Sequence, residues 1–145
     1  MTIDSYAFLT TLCICGGIVG NVLNISVFTR HLTSINVLLS VLSATDLLLL
    51  ILAVPTFVLP GFGGYFITSS YQAYVIVFIY PFNCITQTLS VYLILAITIE
   101  RWTAVCKPLQ VRYYCTAKTS QILIAIVMVW AVLYNVPRFF EYKFM

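Results

Sequence analysis

Charge is what this sequence has least of. Asp, Glu, Lys and Arg make up 8% of its 145 residues, against roughly a quarter in ordinary soluble domains, and that scarcity excludes a water-soluble globular fold. Histidine is represented by His31 alone, and the five cysteines, Cys13, Cys15, Cys84, Cys106 and Cys115, form no CxxC pair. Neither a zinc site nor a disulfide framework is indicated. The formal charge of +3 is dispersed, with no stripe of Lys or Arg, so nucleic acid is not an expected partner. No nucleophile and base pair, metal cluster or phosphate loop appears; an enzyme is not expected and no cofactor is called for. The amino-terminal stretch MTIDSYAFLTT carries Asp4 and no basic residue, unlike the positive start of a cleaved signal peptide, so the apolar block behind it is expected to be retained.

What the chain has instead is apolar length. Hydrophobic residues reach 62% and fall in blocks of about 20 or more, enough to cross a bilayer as helices. Four spans are expected at about 6–29, 35–59, 73–106 and 119–142, giving an all-α membrane protein in which lipid is the solvent. Basic residues set the orientation: Arg30 follows the first span and Lys107, Arg112 and Lys118 lie between the third and fourth, while none lies between Leu59 and Ala73. The amino terminus is therefore expected outside. Tyr and Phe gather at the same depths, including Tyr65, Phe66, Tyr71 and Tyr74 on the outer side and Trp102, Tyr113 and Tyr114 on the inner side, as amphipathic rings do at headgroups. The stretch PGFGGYF from Pro60 to Phe66 reads as a tight turn.

Inside these spans the polar residues stand out. Asp46 lies mid-span, where a carboxylate costs about 2.5 to 3.5 kcal/mol to insert, so a partner within the bundle is expected. In the third span Asn83, Gln87, Ser90, Ile94, Ile97 and Arg101 recur at helical spacing, which predicts one face directed into the bundle. Asn21 and Asn24 form a second polar edge able to meet Asp46. Glu100 and Arg101 are side by side at the inner end of the third span and are expected to pair laterally. Gly16 and Gly20 form a GxxxG, expected to serve packing within the chain more than dimerisation. The sequon at Asn24 falls inside a span and is rejected as a glycosylation site. Pro55, Pro81 and Pro137 also lie within spans, where freed carbonyls need other donors or local kinks.

Taken in order, GNVLN around Asn21, LSATDLLL around Asp46, SVYLILAITIERWTAVCKPL from Ser90 to Leu109, and Trp130 resemble the rhodopsin-like G-protein-coupled receptors at four successive helices. The resemblance covers essentially the whole chain and implies the first four of seven helices, with the amino terminus extracellular. It implies that Asn21, Asp46 and Ser90 belong to a sodium pocket, a buried carboxylate among neutral oxygens suiting a hard cation. It implies that Glu100 restrains Arg101 until activation frees the arginine for the G protein, with Trp102 where tyrosine is usual, and that Pro108 and Leu109 meet the G protein. Where amine receptors carry an aspartate this chain has Asn83, which cannot pair with an ammonium as a carboxylate does. The stretches IYPFNCITQTLSVYL and YNVPRFFEYKF are similar to the invertebrate FMRFamide-type neuropeptide receptors, implying a short amidated peptide as ligand, with Asn83, Gln87 and Thr88 facing it.

One departure is Ile76, which stands where the family usually has the cysteine that tethers the third helix to an outer loop. The expected partners are thus a peptide, a heterotrimeric G protein and membrane lipid, with association with another receptor as a further option, and the expected location is the plasma membrane. The chain is expected to be a truncated receptor; the competing expectation is a self-sufficient four-span assembly protein or small transporter.

Overall fold

The computed structural model describes residues 3–31, 33–59 and 69–141, and the glycine-rich stretch and Tyr142 lie outside them. The order of helices is α1 (Ile3–Phe28), α2 (Ser34–Ala53), α3 (Ser69–Tyr74), α4 (Tyr80–Cys106), α5 (Pro108–Tyr114) and α6 (Ala117–Glu141). Single π turns, Val54–Val58 and Val75–Ile79, extend α2 outward and join α3 to α4. Among the described residues, four helical segments are long and apolar enough to cross a membrane: Ser5–Phe28, Ser34–Val58, Ser70–Cys106 and Ala117–Phe140, called spans one to four below. "Inner" denotes the ends that the basic residues assign to the cytoplasmic side.

The protein is an all-α membrane bundle. Spans two, three and four pack around Leu38, Leu93 and Ile124, with Val37, Val41, Leu42, Leu89 and Ile97 against them. Leu38 and Leu93 are fully enclosed. Outside this small core, large apolar side chains such as Phe8, Val19, Ile51, Phe78, Ile126 and Leu133 are exposed, as expected of surfaces whose solvent is lipid tails. Span three is 37 residues long, roughly 56 Å at about 1.5 Å per residue, and outruns a hydrocarbon core of about 30 Å.

The prolines account for the π turns. Pro55 lies inside the first, and Pro81 follows the second by two residues and is fully buried in α4. A proline cannot donate to the helical ladder and its ring crowds the preceding turn, so a widened turn relieves the mismatch. In the first π turn the Leu59 N–H reaches back to the Val54 carbonyl, and the next residue is Pro60, which has no N–H to offer Pro55. The Tyr71 hydroxyl supplies the missing donor, reaching the Pro55 carbonyl at 3.2 Å. It joins the outer ends of spans two and three near Ile76.

Glycine works differently from the GxxxG expectation. Gly16 and Gly20 have no neighbour within 4 Å of where a Cβ would stand, whereas at Gly17 that atom would lie 2.8 Å from Leu50 Cδ1. The close approach of span one to span two is therefore made by Gly17, and the GxxxG pair is turned away from the rest of the chain. Adjacent helix positions point about 100° apart, which is enough to separate the two roles.

Candidate functional site

The middle of the bundle unites two of the expected residues. Ser90 Oγ donates to Asp46 Oδ1 at 2.7 Å, with Ser90 buried and Asp46 half-buried. Span two thus presents an acceptor at the depth where span three presents its donor, and the carboxylate has the bundle partner its depth requires. Asn21 does not join them by a hydrogen bond: its Nδ2 donates to the Gly17 carbonyl of its own helix at 2.9 Å, and Asn24 is exposed. A short amide side chain one turn beyond a carbonyl finds this local bond more readily than one across a helix interface. Asp46 and Ser90 supply two hard oxygens, a chemically suitable part of a cation shell.

Within these four spans, the enclosed arc of span three overlaps the expected face only in part. Pro81, Thr86, Ser90, Leu93 and Ala96 are buried, whereas Gln87, Ile94 and Arg101, seven apart, are exposed. Span three packs against both span two and span four, so its buried arc is centred between those contacts. Of the expected face, Ser90 is buried and Asn83 and Ile97 are half-buried, so the two edges overlap along the helix.

In the outer half, spans three and four are joined by Asn135, a residue the sequence reading passed over. Its side chain is 2% exposed, and its Nδ2 donates to Thr88 Oγ1 at 3.0 Å and to the Ala131 carbonyl at 2.8 Å. Thr88 in turn donates to the Cys84 carbonyl at 2.8 Å. Beside them is a cleft of about 350 Å³ lined by Cys84, Gln87, Thr88, Tyr134, Asn135 and Arg138, among others. Phe82 and Phe139 close the same seam further out, edge to face with centroids 5.8 Å apart. Asn83 is half-buried and its Oδ1 is enclosed without a hydrogen-bond partner, an acceptor in want of a donor.

At the inner end Glu100 is half-buried and Arg101 is exposed. No ion pair joins them among the described residues, because consecutive helix positions do not face each other. Glu100 instead acts on Cys115 beyond α5: burial and then the Glu100 carboxylate push that thiol above its ordinary value. Leu109, in the first turn of α5 behind Pro108, is 83% exposed. Ser34 and Ser120, both buried, share a hydrogen bond of 2.5 Å between spans two and four. Serines are common and neutral, and neither drew notice in the sequence; their signal was a hydroxyl facing inward at matching depth.

A membrane bundle with an interior carboxylate hydrogen-bonded to a serine, an exposed arginine near the inner end of its longest helix, and a short helix after it has the layout of a seven-helix receptor's first half. The chain matches the 7 transmembrane receptor (rhodopsin family) over residues 20–144, and it belongs to that family. It is 48% identical over 134 residues to the FMRFamide peptide receptor frpr-18 of Caenorhabditis elegans, covering 88% of this chain and 31% of that one. To the FMRFamide receptor of Drosophila melanogaster it is 35% identical over 134 residues, 86% of this chain and 24% of that one. The thyrotropin-releasing hormone receptor of Homo sapiens is 33% identical over 144 residues, 91% of this chain and 33% of that one. The chain therefore spans a third or less of the length of these relatives.

Proposed function

We propose that this chain is the ligand- and G-protein-contacting first half of a plasma-membrane receptor for a short amidated peptide of FMRFamide type. The observation that carries the reading is the likeness at 48% and 35% identity to two receptors named for FMRFamide, in each case across more than four fifths of this chain. Asn83, with its unpaired acceptor, and the exposed Gln87 are the positions offered to the peptide. Thr88 has a different standing, since its hydroxyl is already engaged by Cys84 and Asn135; it shapes the site.

At the inner end, Glu100 and Arg101 form the switch, and Pro108 and Leu109 present an apolar contact to a heterotrimeric G protein. Arg101 and Leu109 are both exposed at the inner end, which leaves each open to a partner. The resting restraint requires Glu100 to swing toward Arg101, and peptide binding releases it by favouring the arrangement in which the arginine is free. Asp46 and Ser90, with Asn21 nearby in the family pattern, would hold sodium in the resting form; the cation would neutralise the interior carboxylate. The test is G-protein activation by amidated Phe-terminated peptides in cells expressing the protein from its complete reading frame. Peptide-dependent activation is expected, and silence toward every such peptide overturns the ligand assignment. The four-span transporter alternative predicts proton flux that Asp46→Asn abolishes.

A further inference from the structure

We infer that the cleft between spans three and four recognises the terminal carboxamide of the peptide, through an acceptor fixed at Asn135. The inference rests on the peptide reading above and adds to it a place and a chemistry. Asn135 has two amide protons, and both are committed, one to Thr88 Oγ1 at 3.0 Å and one to the Ala131 carbonyl at 2.8 Å. What remains for any other group is its carbonyl Oδ1. The side chain is 2% exposed and lines the cleft, and turning it over would forfeit both bonds. Thr88 is itself held, donating to Cys84 at 2.8 Å, so the orientation of the amide is set by a chain of three residues across two helices.

The rest of the lining complements this acceptor. Arg138 and Gln87 border the same cleft and can donate, and no carboxylate is among the described residues that line it. A primary carboxamide fits such a set on both of its edges: its NH2 donates to Asn135 Oδ1 while its oxygen accepts from Arg138 or Gln87. A free carboxylate can use the donors, but it brings an acceptor-only group against a fixed carbonyl oxygen. An ammonium would meet Arg138. A volume of about 350 Å³ is in the range of small-ligand pockets, ample for one terminal residue and its amide.

Two variants should move selectivity in opposite directions. Thr88→Val keeps the side-chain shape but removes one of the two acceptors that hold Asn135, so turning its NH2 outward toward a carboxylate then costs only the Ala131 bond. Arg138→Gln removes the cation that a carboxylate exploits. The experiment compares an amidated peptide ending in Arg-Phe-amide with its free-acid twin on the protein from its complete reading frame. Surface expression is measured by antibody to an amino-terminal tag. The unmodified protein should prefer the amide by at least about tenfold in potency, the scale of one hydrogen bond exchanged for a repulsion. Thr88→Val should narrow that ratio, Thr88→Ser should restore it, and Arg138→Gln should widen it. Equal potency of amide and acid on the unmodified protein overturns the inference while leaving the peptide reading intact. So does a ratio that Thr88→Val and Arg138→Gln leave unchanged at normal expression. Failure of every amidated peptide to activate overturns both.

Discussion

Asp46 and Glu100 are both carboxylates on membrane-spanning helices, and the bundle treats them in opposite ways. Asp46 is met at 2.7 Å by a buried serine from the neighbouring span. Glu100 stands beside an arginine with which, among the described residues, it forms no ion pair. Depth explains the contrast, because a carboxylate in the hydrocarbon must have its partner within the protein, whereas one at the inner interface is served by water. The lesson is that the interior group is part of the architecture, whereas the end group makes no hydrogen bond or ion pair among the described residues.

The largest effect should come from unmaking the interior bond. Ser90→Ala leaves the Asp46 carboxylate without its donor and should lower stability by about 1.5 to 3 kcal/mol, read as a fall in melting temperature in detergent. Asp46→Asn should cost less, since its carbonyl oxygen can still accept from Ser90. Equal stability of Ser90→Ala and the parent would remove the distinction between the two carboxylates.

Next comes the contact of span one with span two. Gly17→Leu drives a side chain into Leu50, only 2.8 Å from the first added carbon, and should cost about 1 to 3 kcal/mol as overpacking. Gly16→Leu meets open space and should leave the melting temperature unchanged, so matched losses from the two would contradict the packing described. Smaller again is Thr88→Val, which removes a neutral interhelical bond worth about 0.6 to 1.7 kcal/mol in membranes; a double-mutant cycle with Asn135→Ala measures the coupling.

The smallest effect belongs to Glu100. Glu100→Gln should leave stability nearly unchanged, but it should speed alkylation of Cys115 at pH 8 by roughly twofold, since removing a nearby negative charge favours the thiolate. The sign follows from the raised thiol: its neutral form favours the folded state below the ordinary thiol range. That contribution fades as pH rises through the raised value. An unchanged alkylation rate would place Glu100 away from Cys115.

The four spans could be read from apolar length alone, because the bilayer imposes that length whatever the packing. Asp46 and Ser90 were legible for a related reason: polar groups at that depth must be reconciled, and the family motifs named both. Asn135 should have been legible by the same argument, but it sits between Tyr134 and Val136, two positions before Pro137, and its neutrality made it less conspicuous than an acid. The π turns were not legible beyond a general expectation of kinks at proline, since which carbonyl is orphaned depends on Pro55 and Pro60 acting together. The role of Gly17 was hidden by the more familiar pattern of Gly16 and Gly20, where spacing is visible and facing is not. The buried arc of span three depended on which neighbours it packs against, a tertiary fact that helical periodicity does not contain.

The most direct test of the contrast is peptide-stimulated nucleotide exchange on a heterotrimeric G protein, with peptide binding counted on the same membranes, for the protein from its complete reading frame and for Arg101→Ala. The account predicts that the parent stimulates exchange and that Arg101→Ala binds peptide with little change yet stimulates at least roughly tenfold less, a loss of coupling and not of affinity. Undiminished exchange by Arg101→Ala, at equal binding, would contradict it.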